Sequence, residues 1–183
     1  MQVKILGLDE TPPDNVIFPQ QTHSCNISEV VSGEENLSEC DGVWSLDSRA
    51  IPLGIKTADC APIAFFDSKK YGVLHCGWRG LVGGIIENML SIFDSPETKI
   101  FVGPMLPLFE IQKDFCFEAI KKKFGDQFFI EQEKQILFNF ESALASLLPP
   151  QTQWDGRSTS NEKDLASWRR DQNSERNVMV IYT

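Results

Sequence analysis

The chain of 183 residues holds two histidines, His23 and His75, and each stands among polar or small residues at the end of a segment with strand character. Strand ends on a rigid scaffold are where side chains from distant parts of a sequence converge. Cys60, in TADC (57–60), adds a thiol directly after the carboxylate of Asp59. One thiolate and two neutral imidazoles form a three-ligand set for zinc and leave a fourth position open, as catalytic zinc requires. Zinc in such a site polarises a leaving group or carbonyl and brings the pKa of a bound water toward ~7. Asp59, beside the thiol, is a candidate to support the ligand from outside the metal's ligand set or to carry a proton. His75 opens HCGWRG (75–80), a glycine-rich turn into a helix, where free backbone N–H groups favour an anion and Arg79 strengthens that preference. Arg169 and Arg170 are further candidates for holding phosphate.

Each residue also has a plainer reading. The spacing 23, 60, 75 is not a metal signature, a histidine at a strand end is more often a hydrogen-bonded structural residue, and a cysteine near apolar strands is usually a small hydrophobe. Without a metal, Cys60 activated by His75 would be the nucleophile of a cysteine hydrolase. Cys25, Cys40, Cys76 and Cys116 keep the small-hydrophobe reading. Arg169 and Arg170 read equally well as a solvated pair on an acidic surface. Trp78 reads as packing rather than base stacking, and Asp41-Gly42 as a turn.

The elements that must position these residues follow from period and punctuation. Residues 2–8 alternate as a strand; Val16–Phe18, Ile27–Val31 and Gly42–Ser45 read as short strands, and Pro62–Phe66 and Tyr71–Leu74 bracket a turn at 67–70. From Gly80 the period changes, with Leu81, Ile85, Ile86, Met89, Leu90 and Phe93 on one helical face. Lys99–Val102 reads as a buried strand, and Phe117, Ile120 and Phe124 line a helix that closes at Gly125. Asn139 caps a helix running to Leu148. Residues 151–175 read as a long polar surface loop and NVMVIYT as a final strand. A β-rich half followed by an α/β half predicts an α+β layered domain, one unit over 1–183.

Composition removes several function classes. With 26 acidic and 17 basic residues the net charge is −9, and there is no basic stripe to follow a nucleic-acid backbone. Five cysteines without CxxC pairing fit a reducing compartment. The N-terminus lacks the features of a signal peptide, and no apolar run approaches the ~18 residues of a membrane span. A cytoplasmic protein is the expectation.

QTHS (21–24), DGVW (41–44), TADCAPI (57–63), HCGWRG (75–80), GPMLPLFEI (103–111) and SWRRD (167–171) occur in the order of the YfiH-type, or laccase-domain, family, which the chain resembles. The resemblance implies an α/β/β/α layered fold with mixed sheets, similar to the catalytic domain of cytotoxic necrotising factor. It implies a zinc site on His23, Cys60 and His75. It further implies purine nucleoside phosphorolysis on adenosine, inosine and methylthioadenosine, together with adenosine deamination. Other members are labelled copper-dependent polyphenol oxidases or resemble peptidoglycan-editing factors. Two histidines cannot build a multicopper cluster, so zinc is expected ahead of copper. The expected partners are a small-molecule nucleoside and phosphate, without nucleic acid or membrane.

The chain departs from the family pattern in having little sequence before His23, in Cys76 where alanine is usual, and in a shortened tail after SWRRD. The expectation is an N-terminally shortened variant whose missing segment a second copy, in a homo-oligomer, could supply. A binding subunit without turnover is the non-enzymatic alternative.

Overall fold

The computed structural model describes residues 1–132 and 134–183. In chain order the elements are β1 (Gln2–Leu6), β2 (Ile27–Glu29), β3 (Gly42–Leu46), β4 (Leu53–Thr57), β5 (Ala61–Phe66), β6 (Lys70–Cys76), α1 (Trp78–Gly83) and α2 (Ile85–Ile92). They continue with β7 (Lys99–Val102), β8 (Leu108–Ile111), α3 (Phe115–Phe124), β9 (Phe129–Gln132), β10 (Gln135–Asn139), α4 (Phe140–Ala145), β11 (Gln153–Trp154), α5 (Trp168–Asp171) and β12 (Asn177–Tyr182).

Almost every residue of β5 and β6 is buried, the pattern of strands covered on both faces. They lie at the centre of a six-stranded mixed sheet ordered β11-β7-β5-β6-β3-β2. Their side chains alternate between two cores, as the period of two demands. Ala61, Ile63, Phe65 and Leu74 face a core shared with Leu81, Ile85, Ile86 and Met89 of α1 and α2. Ala64, Tyr71 and Val73 face Leu53, Ile55, Met179 and Ile181 of a three-stranded antiparallel sheet ordered β1-β12-β4. The layers are therefore helices, large sheet and small sheet, an α+β arrangement of the expected class. The outer face of the small sheet packs Leu6, Val178 and Val180 against Val16 and Phe18. A second three-stranded sheet, β8-β10-β9, flanks α3 and α4.

Three local expectations change. Val16–Phe18 is an extended segment making a single bridge, Ile17 to Leu53, because prolines at 13 and 19 confine it to that contact. The helix expected to run on from Gly80 is two helices. Gly84 adopts φ 93, capping α1 and starting α2, so the apolar face stays continuous while the hydrogen-bond ladder breaks. The polar stretch 151–175 carries β11 and α5 rather than loop alone. No helix among the described residues is long and apolar enough to cross a membrane.

Candidate metal centre and active site

His75 continues the row Tyr71, Val73 along β6, so it points to the side of the small sheet, beyond the ends of its strands. Its Nδ1 hydrogen-bonds the Asp41 carboxylate at 2.7 Å, and both side chains are buried. That contact turns Nε2 toward Cys60 and His23.

His23 arrives from a loop held in two ways. The Gln21 side chain behaves like an extra strand residue, donating to the Lys56 carbonyl at 2.7 Å and accepting from the Lys56 amide at 2.8 Å on β4. The backbone N–H groups of Thr22, His23 and Ser24 all donate to Asp41 at 3.0, 3.0 and 2.6 Å, and the Ser24 hydroxyl adds a fourth bond at 2.9 Å. Converging amides of this kind form a small anion nest, and they explain why His23 tolerates φ 61, a left-handed value unusual for a side chain with Cβ. Asp41 thus fixes both histidines.

Cys60 sits at the entry to β5. Ligand atoms of His23, Cys60 and His75 all lie within 4.8 Å of one another, with Cys60 Sγ 4.0 Å from His23 Nε2. A tetrahedral N₂S zinc set spaces its donors roughly 3.3–3.6 Å apart, so small side-chain adjustments close these three around one ion. The cradle is also kept open by the residue beside it. A Cβ on Gly77 would stand 3.0 Å from Cys60 Sγ and 3.1 Å from His23 Cδ2. The donor set and this space fit zinc.

Electrostatics follow from burial and these contacts. Burial opposes ionisation of Asp41, but the hydrogen bond from His75 and the amides of Ser24 and Thr22 outweigh it and hold the carboxyl well below its usual range. Burial would discharge His75, yet Asp41 first and Cys60 second raise its pKa. Burial raises the Cys60 thiol, and His23 and then His75 more than reverse this, bringing it down to about 7. The neighbouring Cys76 thiol is fully enclosed, and burial pushes its pKa far up.

The cluster lies in a cavity of about 570 Å³ that also takes in Lys56, Asp59, Trp78, Phe109, Phe140, Trp168, Arg169 and Arg176. Of the three arginines singled out from sequence, Arg169 lines this cavity, its guanidinium 4.6 Å above the Phe109 ring. Arg79 is exposed on α1 and lies against Trp78. Arg170 donates to the carbonyls of Thr159, Glu162 and Leu165 and pairs with Asp171, so it clamps the chain before α5. Asp59 lines the cavity, but both carboxylate oxygens are engaged, Oδ1 by the Thr159 hydroxyl at 2.7 Å and Oδ2 by the Arg169 amide at 2.8 Å.

Sequence reasoning passed over Asp41, Lys56 and Arg176. A carboxylate opening the otherwise apolar strand Gly42–Leu46 was the available signal for Asp41. Lys56 and Arg176 carried no signal, since each is one cation among many.

Fold and site together define a layered α+β domain with a His₂Cys cluster at the floor of a partly cationic cavity. Residues 4–183 match the family described as multi-copper polyphenol oxidoreductase laccase, and the chain belongs to that family. A purine nucleoside phosphorylase of Aquifex aeolicus is 27% identical over 94% of this chain and 86% of its own length. A protein named adenosine deaminase RL5, from an unknown prokaryotic organism, is 38% identical over 47% of this chain and 36% of its own. Among solved structures, a Neisseria meningitidis protein superposes with a TM-score of 0.80 over 91% of this chain and 74% of its own at 23% identity, a likeness of fold.

Gly77→Ala is expected to weaken metal binding about tenfold or more, since overpacking costs ~1–3 kcal/mol and 1.4 kcal/mol is a factor of ten in affinity. Zinc titration against a competing chelator measures it, and wild-type affinity in a folded variant would mean that the cradle lies elsewhere.

Proposed function

We propose that the chain is a zinc-dependent purine nucleoside phosphorylase acting on adenosine and inosine, with adenosine deamination as a secondary activity of the same site. The observation that carries this reading is the His23, Cys60 and His75 cluster in a cavity lined by Lys56, Arg169 and Arg176, in a protein of net charge −9. Concentrating cations where the rest of the surface is acidic suits an anionic co-substrate, and guanidinium groups suit phosphate. Trp78, Phe109, Phe140 and Trp168 supply apolar and aromatic surface for a purine and its sugar. The volume lies within the ~300–1,000 Å³ of small-molecule sites.

In phosphorolysis a phosphate oxygen bonds to ribose C1′ as the C1′–N9 bond breaks. The bonding pair leaves with the purine, which gains a proton, and the products are base and ribose 1-phosphate. The part assigned to this chain is to hold phosphate at Arg169, Arg176 and Lys56, to hold the nucleoside against the aromatic walls, and to keep water from competing. Zinc bound by His23, Cys60 and His75 would supply Lewis acidity at its open coordination position. Deamination needs a proton carrier as well. Asp59 is the one acidic residue among the described cavity residues, and its carboxylate is tied to the Thr159 hydroxyl and the Arg169 amide, a structural task that makes phosphorolysis the better supported main activity. The names of the relatives support both activities. One thiolate and two imidazoles suit zinc, whereas multicopper chemistry needs more histidines than the two present.

A second reading rests on the Cys60 thiol, which His23 and His75 bring down to about 7, as a metal-free cysteine nucleophile would need. Elemental analysis of protein purified without a histidine tag, with His75→Ala as control, separates the two. About one zinc per chain, absent from the control, together with phosphate-dependent release of hypoxanthine from inosine, is the expected result. An active protein without metal would overturn the zinc reading in favour of Cys60 as nucleophile.

A further inference from the structure

Asp59 adopts φ 83, a left-handed conformation that costs a residue bearing Cβ of order 1–3 kcal/mol and persists only where the surroundings demand it. The surroundings here are unusually specific. The Asp59 carbonyl accepts from the Leu106 amide at 2.9 Å, which anchors its backbone to the segment after β7. Its carboxylate then spans to two points about a hundred residues further along the chain: the hydroxyl of Thr159, which is fully buried, and the amide of Arg169 in α5. Arg170 closes the same unit from the other side by donating to the Thr159 and Leu165 carbonyls. What this unit carries into the cavity is Trp168 and Arg169.

We infer that Asp59 is a positioning residue that ties the Trp168–Arg169 wall of the cavity to the backbone beside Cys60, and so sets the affinity for nucleoside and phosphate rather than transferring a proton. The inference deepens the phosphorylase reading and rests on it for the identity of the substrates. A carboxylate that shuttles protons must turn to the substrate as it changes partners, whereas the Asp59 carboxylate is pinned by one donor on each oxygen, at 2.7 and 2.8 Å, and so is aimed at the stretch that carries α5. Trp168 itself is 52% exposed, so little apolar packing holds α5 in place and the polar anchor carries the larger share.

The inference separates Asp59→Asn from Asp59→Ala. The asparagine amide reproduces both contacts, its oxygen accepting from the Arg169 amide and its nitrogen donating to the Thr159 hydroxyl, but it cannot exchange a proton at neutral pH. Alanine removes both contacts. Steady-state phosphorolysis of inosine with inorganic phosphate, on zinc-loaded protein, is expected to show Asp59→Asn within about threefold of wild type in kcat and KM. Asp59→Ala is expected to raise KM for both substrates about tenfold or more with a smaller change in kcat, because the lost contacts serve binding. Thr159→Val, which removes one anchor and leaves the carboxylate intact, is expected to fall between them.

Amide hydrogen exchange over 157–171 gives an independent readout, faster in Asp59→Ala and unchanged in Asp59→Asn. A folded, zinc-loaded Asp59→Asn with kcat down a hundredfold and KM unchanged would make Asp59 a proton-transfer group and overturn the inference. Unchanged exchange in Asp59→Ala would overturn it as well. Absence of phosphorolysis in the wild type would instead remove the phosphorylase reading, and the exchange result would still decide the anchoring role.

Discussion

Cys60→Ala is expected to lower phosphorolysis by on the order of a thousandfold or more and to leave the protein without stoichiometric zinc, with its fold intact. Three donors are the minimum for a catalytic zinc site, and the thiolate is the only anion among them, so two imidazoles alone bind weakly. The fold should survive because Cys60 sits on the loop entering β5 and is only half-buried, while the strands on either side are held by their own ladders. Elemental analysis, circular dichroism and the phosphorolysis assay on one preparation test all three statements. An inactive Cys60→Ala that keeps a full equivalent of zinc would sink the metal reading, because the metal would then lie elsewhere and the thiol would act by itself.

Asp41→Asn is expected to do damage of a different kind. The buried carboxylate accepts five hydrogen bonds, two at Oδ1 from the His23 amide and His75 Nδ1, and three at Oδ2 from the amides of Thr22 and Ser24 and the Ser24 hydroxyl. Asparagine must point an NH₂ at one of these sets, setting donor against donor, and it also removes the charge facing His75. Breaking such a buried pair costs about 3–5 kcal/mol. The lost orientation of the histidines should weaken zinc binding ~10–100-fold. The pH dependence carries a signature. Asp41 in the folded protein is held down to about 2, below the ~4 of an unfolded carboxylate. Its contribution to stability is therefore present in full above pH ~4 and is lost as pH falls through the folded value. Denaturant titrations of metal-free protein between pH 2 and 5 should show a loss of about 2 kcal/mol from this source in wild type, and a flatter profile in Asp41→Asn. Parallel profiles would mean that Asp41 is not the anchor of this site.

Elements marked by their own residues were legible along the chain. Asn139 caps α4 with its side chain, although α4 ends at Ala145 rather than Leu148, Gly125 follows α3 as expected, and β7 occupies the residues that read as a buried strand. Among the strands missed in sequence, β8, β9 and β10 are short with few buried residues, so their apolar alternation is too faint to stand out from a loop, whereas β4, LGIKT, is mostly buried but only five residues long with a glycine inside it. The existence of the first three depends on pairing with each other around Phe138, whose ring packs against Phe109 and Phe129.

The site divides in the same way. Residue type was enough to single out His23 and His75, the two histidines of the chain, whereas Cys60 was separated from four other cysteines by its place after Asp59 in TADC and by the family resemblance. Whether their donor atoms meet is a question of long-range strand pairing and of a loop folded over one buried carboxylate, neither of which leaves a local trace. That is why Asp41 read as a turn residue and is instead the hub of the cluster. It is also why three arginines that look alike in sequence come apart in space, one lining the cavity, one clamping a loop and one exposed on α1 against a half-buried tryptophan. Chemical capacity belongs to residue identity and is written along the chain, whereas partnership is a distance, set only when the layers pack.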